Sequence, residues 1–328
     1  MIIDVALMSL AMPLGEFPAI AREAESRGYR TAWVGEASGA EAIVMSTLIA
    51  THTSRIGIAN GVIPVQIRTP IVYGQAAATL AHLAPGRFGL GLGLSSEIIV
   101  GQWHGLPFAP SLQQMREAVQ IIRATAAGER VNFEGTFYRL RNFRLAIPAP
   151  ATPPRIYLAA LGPRMCELAG EIADGVLLNW IPPEALDVSL RHIEAGARRA
   201  GKRLADRDVA VYVRTCVTEE RGSVREALAR DITGYAIVGA YARFFEECGY
   251  GEEVAAVNRA WKAGDRVGAV KGISERVLDG LGAVGSVEHC RAQLAAFARP
   301  GVTPVVLPFA PPGPAARESL LRTFRAFP

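Results

Sequence analysis

The residue types that could do chemistry in this chain are few, and they gather at the ends of β-rich runs. Glu36 closes the run 31–36, TAWVGE. A carboxylate that ends a buried strand can protonate a reacting oxygen, and desolvation there raises an acid toward neutrality. It can equally order the strand end, accepting from Ser9 and nearby backbone donors. His104, in the loop QWHGLPF, is the second proton-donor candidate, against the alternative of a solvated or structural loop histidine. Asn179 and Trp180 end the run 175–180 with an amide and an amphipathic ring, which could bind a ligand or simply cap the strand end. At Ala160, Leu161, Gly162, Pro163 and Arg164 a strand passes straight into a helix. Free N–H groups at a helix start beside a guanidinium suit a phosphate, and water could cap the same groups.

Two glycine patterns accompany them. In RFGLGLGLSS, 87–96, Gly89, Gly91 and Gly93 share one face of a strand and Leu90, Leu92 and Leu94 the other. If the leucines meet helices, the glycines hollow the space inside and a flat ring could enter; the alternative is that they permit close packing. The run is not a dinucleotide fingerprint, because Ser96 stands where the last glycine belongs and the strand is the fourth. Nor is it a nucleophile elbow, since Glu97 replaces the second glycine. In IANGVIPVQIRTP, Gly61 interrupts a β-rich run that Pro64 stops, which permits a bulge or an ordinary strand exit. The histidines at 52, 82, 104, 192 and 289 lack metal-ligand spacing, so no metal site is expected, and no Walker A sequence is present.

The elements that must position these groups alternate from end to end. Strands are expected at 2–10, 31–36, 55–62, 87–94, 155–161, 175–180, 209–215 and 303–309, mostly continuous apolar runs of the kind covered on both faces. Helical stripes lie between them: Phe17, Ile20, Ala21 and Ala24 before Gly28, a helix opened by Pro70 and closed by Pro85 and Gly86, and Met115 to Ile122 before Gly128. Two more begin at Pro163 and Pro183. Eight β-then-α units in strict order predict a (β/α)8 barrel as a single domain over 1–328. The excess over the roughly 250 residues typical of that fold is expected as a hairpin at 131–145 and a mostly helical insertion at 221–300, before strand eight.

Composition narrows the function classes. The 328 residues are 50% hydrophobic with a net charge of +4, enough for a large core and without a basic arm for nucleic acid. Only Lys202, Lys262 and Lys271 are lysines among 35 cations. The N-terminal stretch has no basic residue ahead of its apolar run and contains Asp4, and no uncharged apolar run nears the ~18 residues of a membrane span. Cys166, Cys216, Cys248 and Cys290 form no C-x-x-C pair and read as buried free thiols of a cytoplasmic protein.

The segments TAWVGEASG, RIGIANGVIPVQIRTPIVYGQAAATLAHLAPGRFGLGLGLSS and RIYLAALGPRMCELAGEIADGVLLNW together resemble the bacterial luciferase-like superfamily over nearly the full chain. The loop EIIVGQWHGLPF and the segment from ALGPRM to LLNW are most similar to its coenzyme F420-dependent, methylenetetrahydromethanopterin reductase-like branch. The resemblance implies a (β/α)8 barrel, a homodimer, and a deazaflavin or, alternatively, FMN at the C-terminal face. It implies a non-proline cis peptide at Gly61-Val62 supporting the ring, and a phosphate region near Ser95, Ser96 and Ala160–Arg164, with Asn179 at the same rim. The activity implied is hydride transfer between reduced F420 and a small organic substrate. An FMN-dependent monooxygenase and a catalytically silent flavin-binding protein are the rivals. Many relatives carry histidine after the acid that ends strand two; here Ala37 follows Glu36, so no catalytic histidine is inherited.

Overall fold

Eight parallel strands close on themselves in the computed structural model, which describes residues 1–7, 13–109 and 111–328. They are β1 (Asp4–Ala6), β2 (Thr31–Val34), β3 (Gly57–Asn60), β4 (Phe88–Gly93), β5 (Arg155–Ala160), β6 (Gly175–Asn179), β7 (Asp208–Val217) and β8 (Val302–Pro308). Each pairs with the next, and β8 returns to β1 through Val305 beside Asp4 and Val306 beside Val5. This is the (β/α)8 barrel expected from the sequence. All strands run the same way, so their C-terminal ends share one face, the mouth, and their N-terminal ends the other, the base.

Alternation along each strand separates two cores. Val5, Ile58, Leu90, Leu92, Leu158 and Val211 point outward to the helices. Trp33, Tyr157, Leu177, Tyr212 and Val305 fill the lumen. Helix boundaries follow local signals: Thr69 accepts from the Val72 N–H and Pro70 takes the first helical position of Pro70–Leu83. Gly28, at φ 86°, ends Phe17–Arg27 with its N–H on the Ala24 and Glu25 carbonyls.

Several expectations are corrected in detail. The first strand is only Asp4–Ala6; residues 8–12, including Ser9, lie outside the described residues. The second stops at Val34 and the third at Asn60, where a bulge at Gly61-Val62 interrupts the regular ladder between them. The insertion between β7 and β8 is largely helical, as expected, yet it contains a strand, Gly282–Gly285, running parallel to the end of β7. Four residues of glycine, alanine and valine give no strand signal on their own.

The smaller insertion is the expected hairpin, Val131–Glu134 paired antiparallel with Arg139–Phe143. It is fastened by Glu117, a 2% exposed carboxylate on the helix Leu112–Ala126. The backbone N–H groups of Thr136, Phe137 and Tyr138 donate to it at 2.9, 2.9 and 3.2 Å.

Candidate active site

At the mouth, β3 breaks into a bulge and resumes as Ile63–Pro64, which pairs with Leu92 and Gly93 of β4. The Gly61-Val62 peptide inside the bulge is cis. Gly61 N–H donates to the Val34 carbonyl at 2.9 Å, the Tyr212 hydroxyl donates to the Gly61 carbonyl at 3.0 Å, and Glu36 N–H donates to the Val62 carbonyl at 3.1 Å. A Cβ at position 61 would collide with that same Tyr212 hydroxyl. Across the sheet, a Cβ at Gly91 would collide with the Asn60 carbonyl, and one at Gly93 would stand 2.7 Å from a Val62 methyl. The bulge and the glycine face of β4 are therefore one construction. The hollow imagined from the glycine spacing does not exist at this level; Tyr157 packs beside Gly89 and Val62 beside Gly93, so close packing is the reason for the pattern.

Glu36 lies beside the bulge with both carboxylate oxygens engaged. Arg68 Nη1 donates to Oε1 at 2.8 Å and Arg68 Nη2 to Oε2 at 3.0 Å, while Ala42 N–H donates to Oε2 at 3.0 Å. Arg68 also pairs with Glu41. His104 is exposed, on the turn after the helical segment Ile98–Trp103. Its ring makes no hydrogen bond among the described residues, and the loop does not fold it inward. Ser95 is exposed at φ 61°, and Ser96 begins the following segment, its carbonyl accepting from Val100 N–H at 2.9 Å.

The helix Pro163–Ile172 starts at the mouth with Gly162 as N-cap and no side-chain cap. The helices Ala42–His52, Pro70–Leu83 and Leu112–Ala126 each take one, from Glu41, Thr69 and Ser111. A Cβ at Gly162 would meet nothing within 4 Å, and Arg164 is exposed without an ion pair among the described residues. Leu161 and Ala160 lead into this start from β5.

Opposite the bulge, Asn179 and Trp180 meet an arginine that the sequence reading overlooked. Arg214 shares the lumen face of β7 with Ala210 and Tyr212, and is only 7% exposed. Its Nη1 donates to Asn179 Oδ1 at 2.7 Å and its Nε to Asp231 Oδ2 at 3.1 Å. The guanidinium carbon lies 3.3 Å from the Trp180 ring centroid, and Tyr235 packs beside both, 5.1 Å from the Trp180 centroid and 5.8 Å from the guanidinium carbon. Asp231 and Tyr235 belong to Gly222–Ala236, so the insertion supplies a wall of the mouth.

With the geometry in view, comparison with known proteins places the chain. A model of the luciferase-like monooxygenase family matches residues 3–304. The chain belongs to this family. It is 28% identical over 303 residues to the 5,10-methylenetetrahydromethanopterin reductase of Archaeoglobus fulgidus, covering 90% of each. The coenzyme F420-dependent tetrahydromethanopterin reductase of Methanopyrus kandleri superposes with a TM-score of 0.82 over 99% of this chain and 97% of the other, at 24% identity. An F420-dependent secondary alcohol dehydrogenase superposes at 0.75 over the whole of both chains, at 18% identity. At such identities the two structures bear on the fold.

Within this luciferase-like barrel, Gly61, Val62, Glu36, Ser95, Ser96, Ala160–Arg164 and Asn179 all come to the mouth, whereas His104 points to solvent. Arg214 left one usable signal: it is the lone charge in the apolar run VAVYVRTCV, on the parity of Tyr212. Arg68 left none, since nothing in a loop sequence pairs it with Glu36. The thiols take no part. Burial pushes Cys166 and Cys290 up to about 12, so neither is a nucleophile at neutral pH.

Proposed function

We propose that this family member is an oxidoreductase that binds coenzyme F420 at the barrel mouth and passes a hydride between the deazaflavin and a small organic substrate. The observation that carries this reading is the uncapped helix start at Gly162, facing the same mouth as the cis Gly61-Val62 bulge. Pro163 has no N–H and Met165 N–H already reaches the Gly162 carbonyl at 3.1 Å, so the N–H groups of Gly162 and Arg164 are left without acceptors among the described residues, and an anion supplies them. A sequence relative supports the deazaflavin in particular: the chain is 29% identical over 317 residues to a putative coenzyme F420-dependent oxidoreductase of Mycobacterium tuberculosis, covering 90% of this chain and 91% of the relative.

The residues at the mouth fit such a group. Gly61 and Val62 would meet the ring through backbone. Ser95, Ser96 and the stretch from Ala160 to Arg164 would hold the phosphate, in the open space that a Cβ at Gly162 would enter. Asn179 would meet a polar edge. When bound, the deazaflavin supplies the hydride, and the chain supplies orientation and electrostatics. The protein works as a homodimer in the cytoplasm on this reading. Ala42–His52 and Pro70–Leu83 contain no Asp, Glu, Lys or Arg, yet leave Val44, Val72 and Leu83 exposed, which suits burial against a second copy. Sedimentation velocity checks this.

Titration of the purified chain with F420 and with FMN, read by fluorescence quenching, tests the cofactor. F420 is expected to bind and FMN to bind far more weakly; micromolar FMN affinity with no response to F420 would reverse the assignment to an FMN monooxygenase. Gly162→Asp tests the seat, because the new side chain has room and places a carboxylate against an anion. F420 affinity should fall more than tenfold, about 1.4 kcal/mol, with an unchanged Tm. Turnover of an acceptor with reduced F420 separates the enzyme from a silent binder.

A further inference from the structure

A guanidinium inside a barrel mouth, almost wholly removed from water, is costly unless its donors are used. Arg214 uses two of its five N–H groups on the protein, through Nε to Asp231 and Nη1 to Asn179. Its Nη2 donates to no described residue. Beneath it, Trp180 is 1% exposed, sits at φ 56°, and holds a buried indole Nε1–H without an acceptor among the described residues. The two spare donor groups belong to stacked groups, the guanidinium carbon being 3.3 Å from the indole centroid. On the lumen face directly below Arg214 stands Tyr212, whose hydroxyl holds the carbonyl of Gly61 in the bulge. Tyr212 thus crosses the lumen from beneath the unused donors to the proposed ring support on the opposite side of the mouth.

Charge decides what these donors suit. Asp231 already balances Arg214 at 3.1 Å, so the pair is formally neutral. A ligand carboxylate would be drawn to Arg214 and repelled by Asp231, whereas a neutral, polarised oxygen accepts from the free N–H groups without that penalty. We infer that Arg214, with Trp180 Nε1–H, is the specificity-determining donor pair of the mouth and takes a carbonyl oxygen. That oxygen belongs either to the substrate or to the ring of the cofactor. The inference rests on the F420 reading above for the identity of the ring, and on this chain's own geometry for the donor pair. It also gives the helical insertion a task, since Asp231 and Tyr235 hold the guanidinium in place from the helix Gly222–Ala236.

The test compares the parent chain with Arg214→Gln and Arg214→Lys. Two readouts are followed: the F420 dissociation constant, and the position of the Trp180 indole N–H resonance, assigned by its loss in Trp180→Phe. Acetamide is the neutral carbonyl probe and acetate its anionic comparator. In the parent, acetamide should move the Trp180 resonance downfield at lower concentration than acetate. If the ring supplies the oxygen, F420 itself moves that resonance, and Arg214→Gln weakens F420 binding more than tenfold. If the substrate supplies it, F420 affinity stays within threefold while the response of the F420 complex to acetamide is lost. Arg214→Lys keeps the charge without the fork and should fall between the two; if Arg214→Gln does not fold, the lysine variant carries both comparisons. A folded Arg214→Gln protein that retains both parental responses overturns the inference, as does a parent in which neither F420 nor acetamide moves the Trp180 resonance. Preference for acetate over acetamide also overturns it. A parent that binds FMN and not F420, with an Arg214-dependent acetamide response, overturns the cofactor reading and leaves the donor pair standing.

Discussion

The base and the mouth of this barrel are both lined with charged and aromatic residues, but they use them differently. At the base, Asp4 accepts from Arg30 Nε at 2.9 Å, from Arg30 Nη2 at 2.8 Å and from the Trp33 indole at 2.9 Å. Asp208 accepts from Arg30 Nη1 at 3.1 Å and from the Tyr157 hydroxyl at 2.7 Å. The network closes on itself. At the mouth, Asn60 Oδ1, Gln66 Oε1 and Trp180 Nε1 are buried without partners among the described residues, and the helix Pro163–Ile172 starts without a side-chain cap. The base also borders a cavity of about 780 Å³, lined by Arg30, Arg123, Arg155, Asp174, Arg207 and Asp208 among others. Arg207 Nη2 is buried there without a partner among the described residues, but the unpartnered groups at the opposite end are more numerous, and parallel barrels carry their active sites at that end. An open polar group costs stability that a ligand can restore, so the two faces should answer differently to substitution.

The largest effect is expected at Asp4. Asp4→Ala leaves Arg30 Nε and Nη2 and the Trp33 N–H without their acceptor while Asp208 keeps only Arg30 Nη1, a loss of about 3–5 kcal/mol of the kind seen when one member of a buried pair is removed. In a chain of this length that is roughly 4–7 °C in Tm. Burial pushes the Asp4 carboxyl up, outweighing the pull of Arg30 and Trp33, so a neutral isostere is tolerated better and Asp4→Asn should recover much of the loss. The F420 affinity of the folded fraction should not change. A base variant that weakened cofactor binding as strongly as it lowered Tm would break the separation of the two faces.

How much of this was legible in the sequence follows the same division. The barrel was readable because parallel strands covered on both faces are continuous apolar runs, and Pro70, Pro163 and Gly28 mark helix ends by local chemistry. The mouth was partly legible where backbone makes it: a break at Gly61 and the Gly162 helix start follow from strand order and glycine placement, whereas Val62 and its cis peptide came only with the family resemblance. It was illegible where side chains from distant segments meet. Glu36 gave no hint of Arg68, and nothing joined Arg214 to Asp231 or Trp180. The alternation of Gly89, Gly91 and Gly93 was visible while its cause was not, because the Asn60 carbonyl that fills the space belongs to another strand.

A second buried carboxylate sharpens the comparison. Glu117 also lies under cover, but its donors are the Gln113 amide and three backbone N–H groups of the hairpin rather than a guanidinium. Burial alone would raise it, yet these donors outweigh burial and hold it below the usual carboxylate range. A carboxyl depressed in the fold contributes stability above its unfolded pKa of about 4.3, and the contribution is lost as pH falls through the lower folded value. Glu117→Gln should therefore cost about 1.5–3 kcal/mol at pH 7, the range of hydrogen bonds to a charged group. The gap between variant and parent in urea denaturation should narrow toward pH 3. A gap that stays constant with pH would mean that the hairpin is held by packing and not by the charge.

The smallest effect is expected at Glu36, and it bears most directly on where the chemistry resides. By position Glu36 belongs to the mouth, but by bonding it resembles the base. Arg68 grips both its oxygens, Ala42 N–H takes one of them again, and its side chain is 9% exposed. We propose that it orders Arg68 and the start of Ala42–His52 rather than giving up a proton. Glu36→Gln keeps one acceptor oxygen and the shape, and Arg68 retains Glu41 as a carboxylate partner. Stability should then fall by about 1 kcal/mol or less, as for a partly exposed pair. F420 affinity should hold within twofold, and turnover with whichever ketone or aldehyde the parent reduces should stay near the parental rate. A general acid is commonly worth about 10²–10⁴-fold, so the two roles are far apart on the same measurement. A hundredfold fall in kcat with unchanged Tm and cofactor affinity would return Glu36 to the reaction. It would also show that a carboxylate paired on both oxygens can still serve the open face of the barrel.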